Sequence, residues 1–221
     1  RNVDLSSSDV KRSSLYHCWI ADGWEDVTRD ASEVGQLING IAVVGVAVDQ
    51  DQNFCSDHVR KHFEKLFPNA EQVRVFEVDN LPELGELSTF PRLLDELQQY
   101  TTTTSGEHVA FYHHSKAINP KSSHLHDWRR SMYAFNSQWP RVAKALRDNI
   151  FAGVFRRFGQ FDYPGSFRWY YSGAYYWFRC RDIFERDWKR IPLTRHGAEA
   201  WPAMLCDHTE VACLAVDNCG D

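Results

Sequence analysis

The clearest β-strand signal in the chain is the run IAVVGVAV, which extends from Ile41 to Val48. A run of apolar and small residues with no polar residue between them is typical of a strand buried on both faces. A second run, from Val109 to Tyr112, has the same character. Because strands buried on both faces occur mostly in parallel sheets that helices cover, the two runs favour an α/β fold.

Strands and helices alternate around these two runs. β-rich segments at Leu15 to Ile20 and Val73 to Val78 predict two more strands. Apolar residues at helical spacing predict helices near Asp30 to Ile38, His58 to Leu66 and Pro91 to Tyr100. The alternation predicts a single domain with a mainly parallel central sheet flanked by helices. Ligands of such sheets usually bind beyond the carboxyl ends of the strands.

The strongest helical pattern follows the strand at Val109. Its apolar stripe consists of Trp128, Met132, Phe135, Trp139, Val142 and Leu146. Because Pro140 lacks a backbone donor and clashes with the preceding turn, we expect a kink or two abutting helices there. Further strands are predicted at Phe151 to Arg156, Tyr170 to Phe178 and Val211 to Val216.

The composition is that of a folded globular protein. Of the 221 residues, 43% are hydrophobic and 25% are charged, and the formal net charge of -5 argues against a protein held mainly by nucleic-acid phosphates. No run of about 18 apolar residues occurs, so we expect no membrane span. The polar, Ser-rich residues 1–14 are expected to form a flexible arm, with order beginning at Leu15.

The six cysteines bear on the cellular compartment. They are widely spaced and include no Cys-x-x-Cys pair, so reduced, mostly buried thiols are the favoured interpretation. The chain starts at Arg1 with no signal-like segment after it, which indicates trimming, processing or excision from a longer sequence. We expect a cytoplasmic protein. A lumenal or secreted location is the alternative, with disulfides among Cys206, Cys213 and Cys219.

Polar residues end the strand that begins at Val109. His113, His114, Ser115 and Lys116 follow directly and would place donors and a cation at the carboxyl edge of the sheet, where phosphate is often bound. In the alternative interpretation, His113 or His114 is only structural. A transition-metal site is a further alternative, because more potential ligands follow at His124, His126 and Asp127, although their spacing matches no closed site.

An aromatic run from Trp169 to Phe178 contains a Ser172-Gly173 step. Glycine lets a backbone approach a ligand closely, and aromatic rings can stack on a sugar. The run therefore predicts the floor of a pocket, with an aromatic core strand as the alternative.

Glu199 lies between small residues and close to Trp201. A partly desolvated carboxylate with close backbone approach suits a general base. A glutamate at a helix start is also a favourable partner for the helix dipole, which is the structural alternative.

The order of these elements resembles that of compact GT-A-type glycosyltransferases of bacteria and large viruses, which use nucleotide-diphosphate sugars. The family pattern pairs an aromatic-His-Ser/Thr-Lys strand end with a Trp-Arg helix, a Ser-Gly-aromatic strand and Ala-Glu-x-Trp. The matching segments are Tyr112 to Lys116, Asp127 to Arg129 with Met132, Tyr171 to Phe178, Ala198 to Trp201, and an earlier stretch with Asp79-Asn80, Gly85-Glu86 and Thr89. The likeness spans roughly residues 15 to 218.

The resemblance implies a GT-A-like, Rossmann-like fold and a hexosyltransferase-like activity. A sugar would move from a nucleotide-diphosphate donor, such as a UDP-sugar, to a hydroxyl of a glycan or another acceptor. Residues 15–116 would form the nucleotide-binding half, and residues 117–221 would form the acceptor and sugar half. Neither a nucleic-acid partner nor a membrane span is implied.

The resemblance also implies roles for individual residues. The catalytic set would be Glu199 as the base of an inverting enzyme, His114 and Lys116, whereas a retaining enzyme would not need Glu199 as a base. Lys116 and Arg129 would offset the diphosphate charge. The remaining substrate-binding residues would be Ile20, Ala21, Asp22, Asp79, Asn80, His113, Ser115, Tyr171, Ser172, Gly173, Trp177 and Trp201.

The chain departs from the pattern at the metal site. GT-A enzymes usually hold Mn²⁺ or Mg²⁺ through an Asp-x-Asp pair at a strand end. The literal Asp-x-Asp here is Asp49-Gln50-Asp51, which we interpret as a polar turn. Asp79 and then His208 are weaker candidate ligands, and cationic side chains could replace the ion. Two alternatives to the transferase remain: an inactive sugar- or nucleotide-binding protein of the same fold, and a metal-dependent hydrolase built on the histidine cluster.

Overall fold

The computed structural model describes residue 5 and residues 9–49, 55–115, 123–159 and 168–215. The strands are β1 (Lys11–Trp19), β2 (Ile41–Val48), β3 (Gln72–Asp79), β4 (His108–His114), β5 (Phe151–Val154), β6 (Arg156–Phe158), β7 (Trp169–Tyr171), β8 (Tyr176–Arg179) and β9 (Val211–Ala215). The α-helices are α1 (Trp24–Arg29), α2 (Ser32–Gly35), α3 (Ser56–Leu66), α4 (Phe90–Thr103), α5 (Ser123–Asn136), α6 (Trp139–Asp148), α7 (Cys180–Phe184) and α8 (Gly197–Leu205). Short 3-10 helices span Gly85–Ser88 and His208–Glu210.

The central sheet has seven strands in the order β3-β2-β1-β4-β8-β5-β9. The pairs β3-β2, β2-β1, β1-β4 and β5-β9 are parallel, whereas β8 runs antiparallel to both of its neighbours. Strands β6 and β7 form a separate antiparallel pair. The predicted single α/β domain with a mainly parallel central sheet flanked by helices is therefore confirmed.

Both faces of the sheet are covered, as the continuous apolar strands predicted. Every residue of β2 is buried. Side chains on one face, including Val44 and Phe111, pack in a core with residues of α3, α5 and α6. Side chains on the other face, including Val43 and Tyr112, pack with residues of α4, α7 and α8. The protein thus consists of three layers, with the sheet in the middle.

The structure tests two predicted boundaries, the helix break at Pro140 and the start of the first strand. At Pro140 the structure has two helices, because α5 ends at Asn136 and α6 begins at Trp139, so the predicted interruption is confirmed. The first strand starts at Lys11 rather than at Leu15. Ser13 and Ser14 are fully buried, and they continue the strand because it has a hydrogen-bonded neighbour on each side. The segment predicted as a flexible arm therefore includes the start of a central strand.

The order of the strands determines where a ligand-binding crevice can form. The chain builds β2 and β3 on one side of β1 and then crosses to place β4 on the other side. Such a reversal of strand order separates the loops that leave neighbouring strands, and ligands of open α/β sheets bind there. The carboxyl ends of β1 and β4 therefore mark the most favourable place for a site.

Among the described helices, none is both long and apolar enough to cross a bilayer.

The cysteines that the structure describes carry free thiols. Cys18 and Cys180 are buried, and burial raises the pKa of both thiols. Burial also raises the pKa of the Cys206 thiol to about 12. These three side chains therefore act as small, protonated hydrophobic groups near neutral pH.

Gly45 in β2 lies where the start of α4 approaches the sheet. An added Cβ would lie 2.6 Å from Cβ of Thr89 and 2.9 Å from Cζ of Phe76. We predict that Gly45→Ala lowers the free energy of unfolding by about 1–3 kcal/mol, because overpacking forces backbone or side chains to move. Urea unfolding at neutral pH measures the change, and a stability equal to that of the parent would contradict this packing.

Candidate active site

The backbone of Gly173 is held from two sides. Nε2 of His114, at the end of β4, lies 2.8 Å from the carbonyl oxygen of Gly173. Because a carbonyl can only accept, this nitrogen donates. The backbone N–H of Gly173 donates to Oε1 of Glu199 on α8 at 3.1 Å. The sequence predicted all three residues at one site, and these hydrogen bonds bring them together.

Gly173 belongs to a turn that most residues would not adopt. Its φ is 92°, and the following Ala174 has φ 54° although it carries a side chain. A Cβ on Gly173 would lie 2.8 Å from Sδ of Met132. Glycine is therefore required here, both for its backbone conformation and for the close approach of α5. Backbone strain of this kind is concentrated at functional sites.

His114 also faces a carboxylate. Its Nδ1 lies 3.2 Å from Oε1 of Glu86, in the 3-10 helix that precedes α4. One ring nitrogen of His114 therefore contacts a backbone carbonyl oxygen and the other contacts a carboxyl oxygen, which fixes the orientation of the ring.

The carboxyl group of Glu199 is almost enclosed. The residue is 5% exposed and lies in the first turn of α8, where the helix dipole favours its negative charge. Its Oε2 lies 3.6 Å from Nδ1 of His196, which immediately precedes the helix. The hydroxyl of Tyr176 donates to the carbonyl of Ala198 and helps fix the start of the helix.

Two buried tyrosines, Tyr112 and Tyr176, lie close enough to Glu86 and Glu199 to interact with both carboxyl groups. Burial raises the pKa of Tyr112 and of Tyr176, and the nearby carboxylates raise these values further. Both phenols are therefore neutral at physiological pH and add no charge to the site.

His17 of β1 lies beside the same edge of the sheet. Its Nδ1 is 2.8 Å from Oγ1 of Thr89, at the start of α4. The Thr89 hydroxyl also donates to the backbone carbonyl of Glu86 and makes no capping hydrogen bond to α4. Burial lowers the pKa of His17 to about 4, so this ring is neutral at pH 7.

A polar group at the ends of β1, β2 and β3 was only partly predicted. Asp49 accepts from the indole N–H of Trp19 at 3.2 Å and from the side-chain amide of Asn80 at 2.6 Å. The sequence analysis assigned Asp49 to a polar turn. Its position directly after a buried strand was the signal that could have placed it at the site.

Other predicted residues lie near this edge. Ser115 accepts from the backbone N–H of Trp19 through its Oγ and therefore ties β4 to β1. Ala21 and Asp22 follow β1 directly, and Asp79 is exposed at the end of β3. Ser172 is half-buried next to Gly173. Lys116 lies outside the described residues.

Three predicted aromatic residues lie in the core instead of lining an open pocket. Trp177 is fully buried and donates to the carbonyl of Asn136, on the face of the sheet opposite Tyr176. Successive strand residues point to opposite faces, so only one of these two neighbours can face α8. Tyr171 and Trp201 are also fully buried. Their polar atoms donate to backbone carbonyls within the protein.

Arg129 and His113 are committed to internal contacts. Arg129 is 2% exposed, and its Nε and Nη2 both contact Oδ2 of Asp30. His113 is fully buried between Oγ of Ser14 and the hydroxyl of Tyr133. Burial lowers the pKa of His113 well below its ordinary value. The structure thus gives Arg129 a protein carboxylate, where the sequence analysis expected a diphosphate, and gives His113 a structural position.

The candidate metal ligands do not converge in the described part of the chain. Asp79 is at the end of β3, whereas His208 follows α8 and contacts Asp207. Asp49 contacts Trp19 and Asn80, and Asp51 lies outside the described residues. No group of three His, Cys, Asp or Glu side chains in these ranges could hold an ion. These donors do not fit Mn²⁺ or Mg²⁺, which require several oxygen ligands around one position.

Comparison with known proteins adds no family assignment. The chain matches no protein-family model, and it matches no curated protein.

The buried His17 predicts a pH dependence of stability. Its pKa is about 4 in the folded protein, below the ordinary value of 6.5, so the unfolded chain binds more protons between these values. The free energy of unfolding should therefore be highest above pH 6.5 and should fall toward pH 4, by up to about 1.4 kcal/mol per pH unit for each such proton. His113 contributes in the same direction.

Unfolding in urea across this pH range measures the slope. His17→Asn should reduce the slope by about one proton. Replacing the exposed His124 with Asn is the matched control and should leave the slope unchanged. Equal slopes for all three proteins would contradict burial of a neutral His17.

The pair of Arg129 and Asp30 predicts a large, local effect on stability. Arg129→Met should lower the free energy of unfolding by about 3–5 kcal/mol, because it leaves a partly buried carboxylate without its main partner. Arg130 contacts the same Asp30 at 3.4 Å but is exposed. Arg130→Met should therefore cost less than about 1 kcal/mol. Similar losses in the two variants would show that the buried pair is not formed.

Proposed function

We propose that this protein transfers a sugar from a nucleoside-diphosphate sugar to an acceptor hydroxyl. The observation that carries the proposal is the enclosed Glu199 carboxylate, fixed by the N–H of Gly173 beside the carboxyl end of β4. A base for an acceptor hydroxyl needs this combination of a fixed carboxylate and a largely water-excluded position. The resemblance of the ordered motifs to GT-A-type enzymes supports the same activity.

The donor would occupy the crevice at the ends of β1, β2 and β4. Asp49, held by Trp19 and Asn80, offers oriented carboxyl oxygens toward ribose hydroxyls. The backbone after β1, at Ala21 and Asp22, would border the base. Since Arg129 is already paired with Asp30 and His114 with Glu86, we assign neutralisation of the diphosphate charge to Lys116.

The acceptor would be activated by Glu199. Its Oε1 accepts from Gly173, so we assign proton transfer to Oε2, which faces His196. Glu199 would take the hydroxyl proton while the acceptor oxygen forms a bond to the anomeric carbon. The bond from that carbon to the diphosphate oxygen would break, and its electron pair would leave with the diphosphate. One direct displacement of this kind inverts the configuration of the sugar.

Glu199→Gln tests the assignment of the base. Glutamine retains an oxygen that can accept from Gly173 but cannot take a proton, so turnover should fall by about 10²- to 10⁴-fold. Binding of nucleoside diphosphates should remain, as measured by the rise in melting temperature that ligand binding to the folded form produces. Initial rates with a panel of nucleoside-diphosphate sugars measure the turnover.

Glu83→Gln is the matched control, because Glu83 is exposed before the 3-10 helix. It should retain both turnover and binding. Full turnover in Glu199→Gln would refute the role of the base. A parent protein that binds nucleoside-diphosphate sugars but turns over none with any hydroxyl acceptor would favour a binding protein of the same fold. A parent stabilised by no nucleoside diphosphate or sugar conjugate would overturn the transferase.

A further inference from the structure

An apolar groove lies next to the candidate site, on the side of α4. It has a volume of about 240 Å³ and is partly enclosed. Its walls are formed mainly by Leu84, Leu87, Pro91, Trp188, Ile191 and Leu193. None of these side chains has a role in the transfer step proposed above.

The groove and the candidate site share their walls. The 3-10 helix Gly85–Ser88 contributes Glu86 to the contact with His114, and Leu87 of the same turn lines the groove. On the opposite wall, the loop that carries Leu193 leads directly into α8 and Glu199. Gly197, at the start of α8, packs so closely on Leu87 that an added Cβ would lie 2.8 Å from its Cδ2. The groove and the candidate site therefore lie on either side of one shared wall, formed by the 3-10 helix and the start of α8.

The rim of the groove carries a highly exposed leucine and two charged side chains. Leu193 is 88% exposed and is the most exposed large hydrophobic residue in the described ranges. Lys189 lies over the ring of Trp188 at 5.1 Å and approaches Asp95 at 3.9 Å. The groove thus has an apolar interior, an apolar lip and a charged margin. This is a suitable surface for an amphiphile, whose apolar part is buried while its polar part stays in water.

The size of the groove selects among apolar occupants. A cavity of ~150 Å³ accommodates benzene, so the volume of about 240 Å³ suits an unbranched chain of about eight carbons. A stable protein interface involves about 20–30 residues on each side, which far exceeds the residues around this groove. The geometry therefore favours a single alkyl chain over a second protein chain.

We infer that the groove binds the alkyl chain of an amphiphilic acceptor, whose hydroxyl group reaches Glu199. This inference rests on the proposed transferase function, and it specifies the acceptor as a lipid-like molecule with a polar, hydroxyl-bearing head. The chain would anchor the acceptor, and the head would extend past Leu87 into the space beside α8.

The test uses octyl glucoside below its micellar concentration, with methyl glucoside as the probe that lacks the chain. Octyl glucoside should bind the parent protein, as followed by tryptophan fluorescence and calorimetry, and methyl glucoside should bind at least tenfold more weakly. Leu193→Asp should weaken octyl glucoside binding by tenfold or more, because it places a charge at the apolar lip. The substitution should not disturb folding, since Leu193 is exposed.

Phe158→Asp is the matched control. Phe158 is also an exposed large hydrophobic residue, at 58%, but it lies on the separate β6-β7 pair. This variant should bind octyl glucoside as the parent does. All three proteins should bind nucleoside diphosphates equally, and in transfer assays an octyl chain on the acceptor should lower KM only when Leu193 is present.

The outcomes separate the two proposals. If the protein binds nucleoside diphosphates but does not prefer octyl glucoside to methyl glucoside, the proposed role of the groove is refuted and the transferase proposal is unaffected. Octyl glucoside binding that Leu193→Asp does not weaken would also overturn it. A concentration-dependent dimer that Leu193→Asp abolishes would identify a second copy as the occupant and refute the acceptor. If the parent protein binds no nucleoside diphosphate but still prefers octyl glucoside to methyl glucoside, the transferase and the acceptor assignment are both overturned.

Discussion

Two hydrogen bonds to the backbone of Gly173 join three parts of the protein. His114 lies at the end of a central strand, Glu199 lies at the start of α8, and Gly173 lies in the turn between β7 and β8. The positive φ of Gly173 belongs to the turn that directs its N–H to Glu199 and its carbonyl oxygen to His114. Because buried polar groups are costly unless they are paired, the two side chains and the turn stabilise one another. The geometry of the candidate site follows from this arrangement.

Much of the fold follows from sequence patterns that report burial. The uninterrupted apolar run of β2 predicted a strand covered on both faces, and Pro140 predicted the break between α5 and α6, as the structure shows. The start of β1 was missed because polarity alone does not reveal pairing. Ser14 is fully buried since its hydroxyl contacts the ring of His113, a residue 99 positions away. Such distant partners are set by the strand order, which local patterns do not contain.

The candidate site was predictable only where local chemistry determines it. A Ser-Gly step within an aromatic run identified Gly173, a carboxylate between small residues identified Glu199, and these two residues are in contact. The resemblance implied that Arg129 binds the diphosphate, yet the side chain pairs with Asp30 inside the protein. Trp177 is directed into the core because Tyr176 faces α8, and the facing of a strand residue depends on where the strand begins. The proximity of Glu86 and Glu199 to Tyr176 was not predictable from the sequence, because these residues come together only in the folded chain.

The proposed chemistry and the proposed acceptor both depend on a rigid backbone at Gly173. Its N–H fixes one oxygen of Glu199, and Gly197 at the start of the same helix packs on Leu87, which lines the apolar groove. The most direct measurement is amide hydrogen exchange of Gly173, followed by NMR in the parent protein and in Glu199→Ala. A hydrogen-bonded, buried amide should exchange orders of magnitude more slowly than an exposed one in the parent and should lose most of that protection in the variant. Exchange of the Gly173 amide at the rate of an exposed loop in the parent protein would contradict the account.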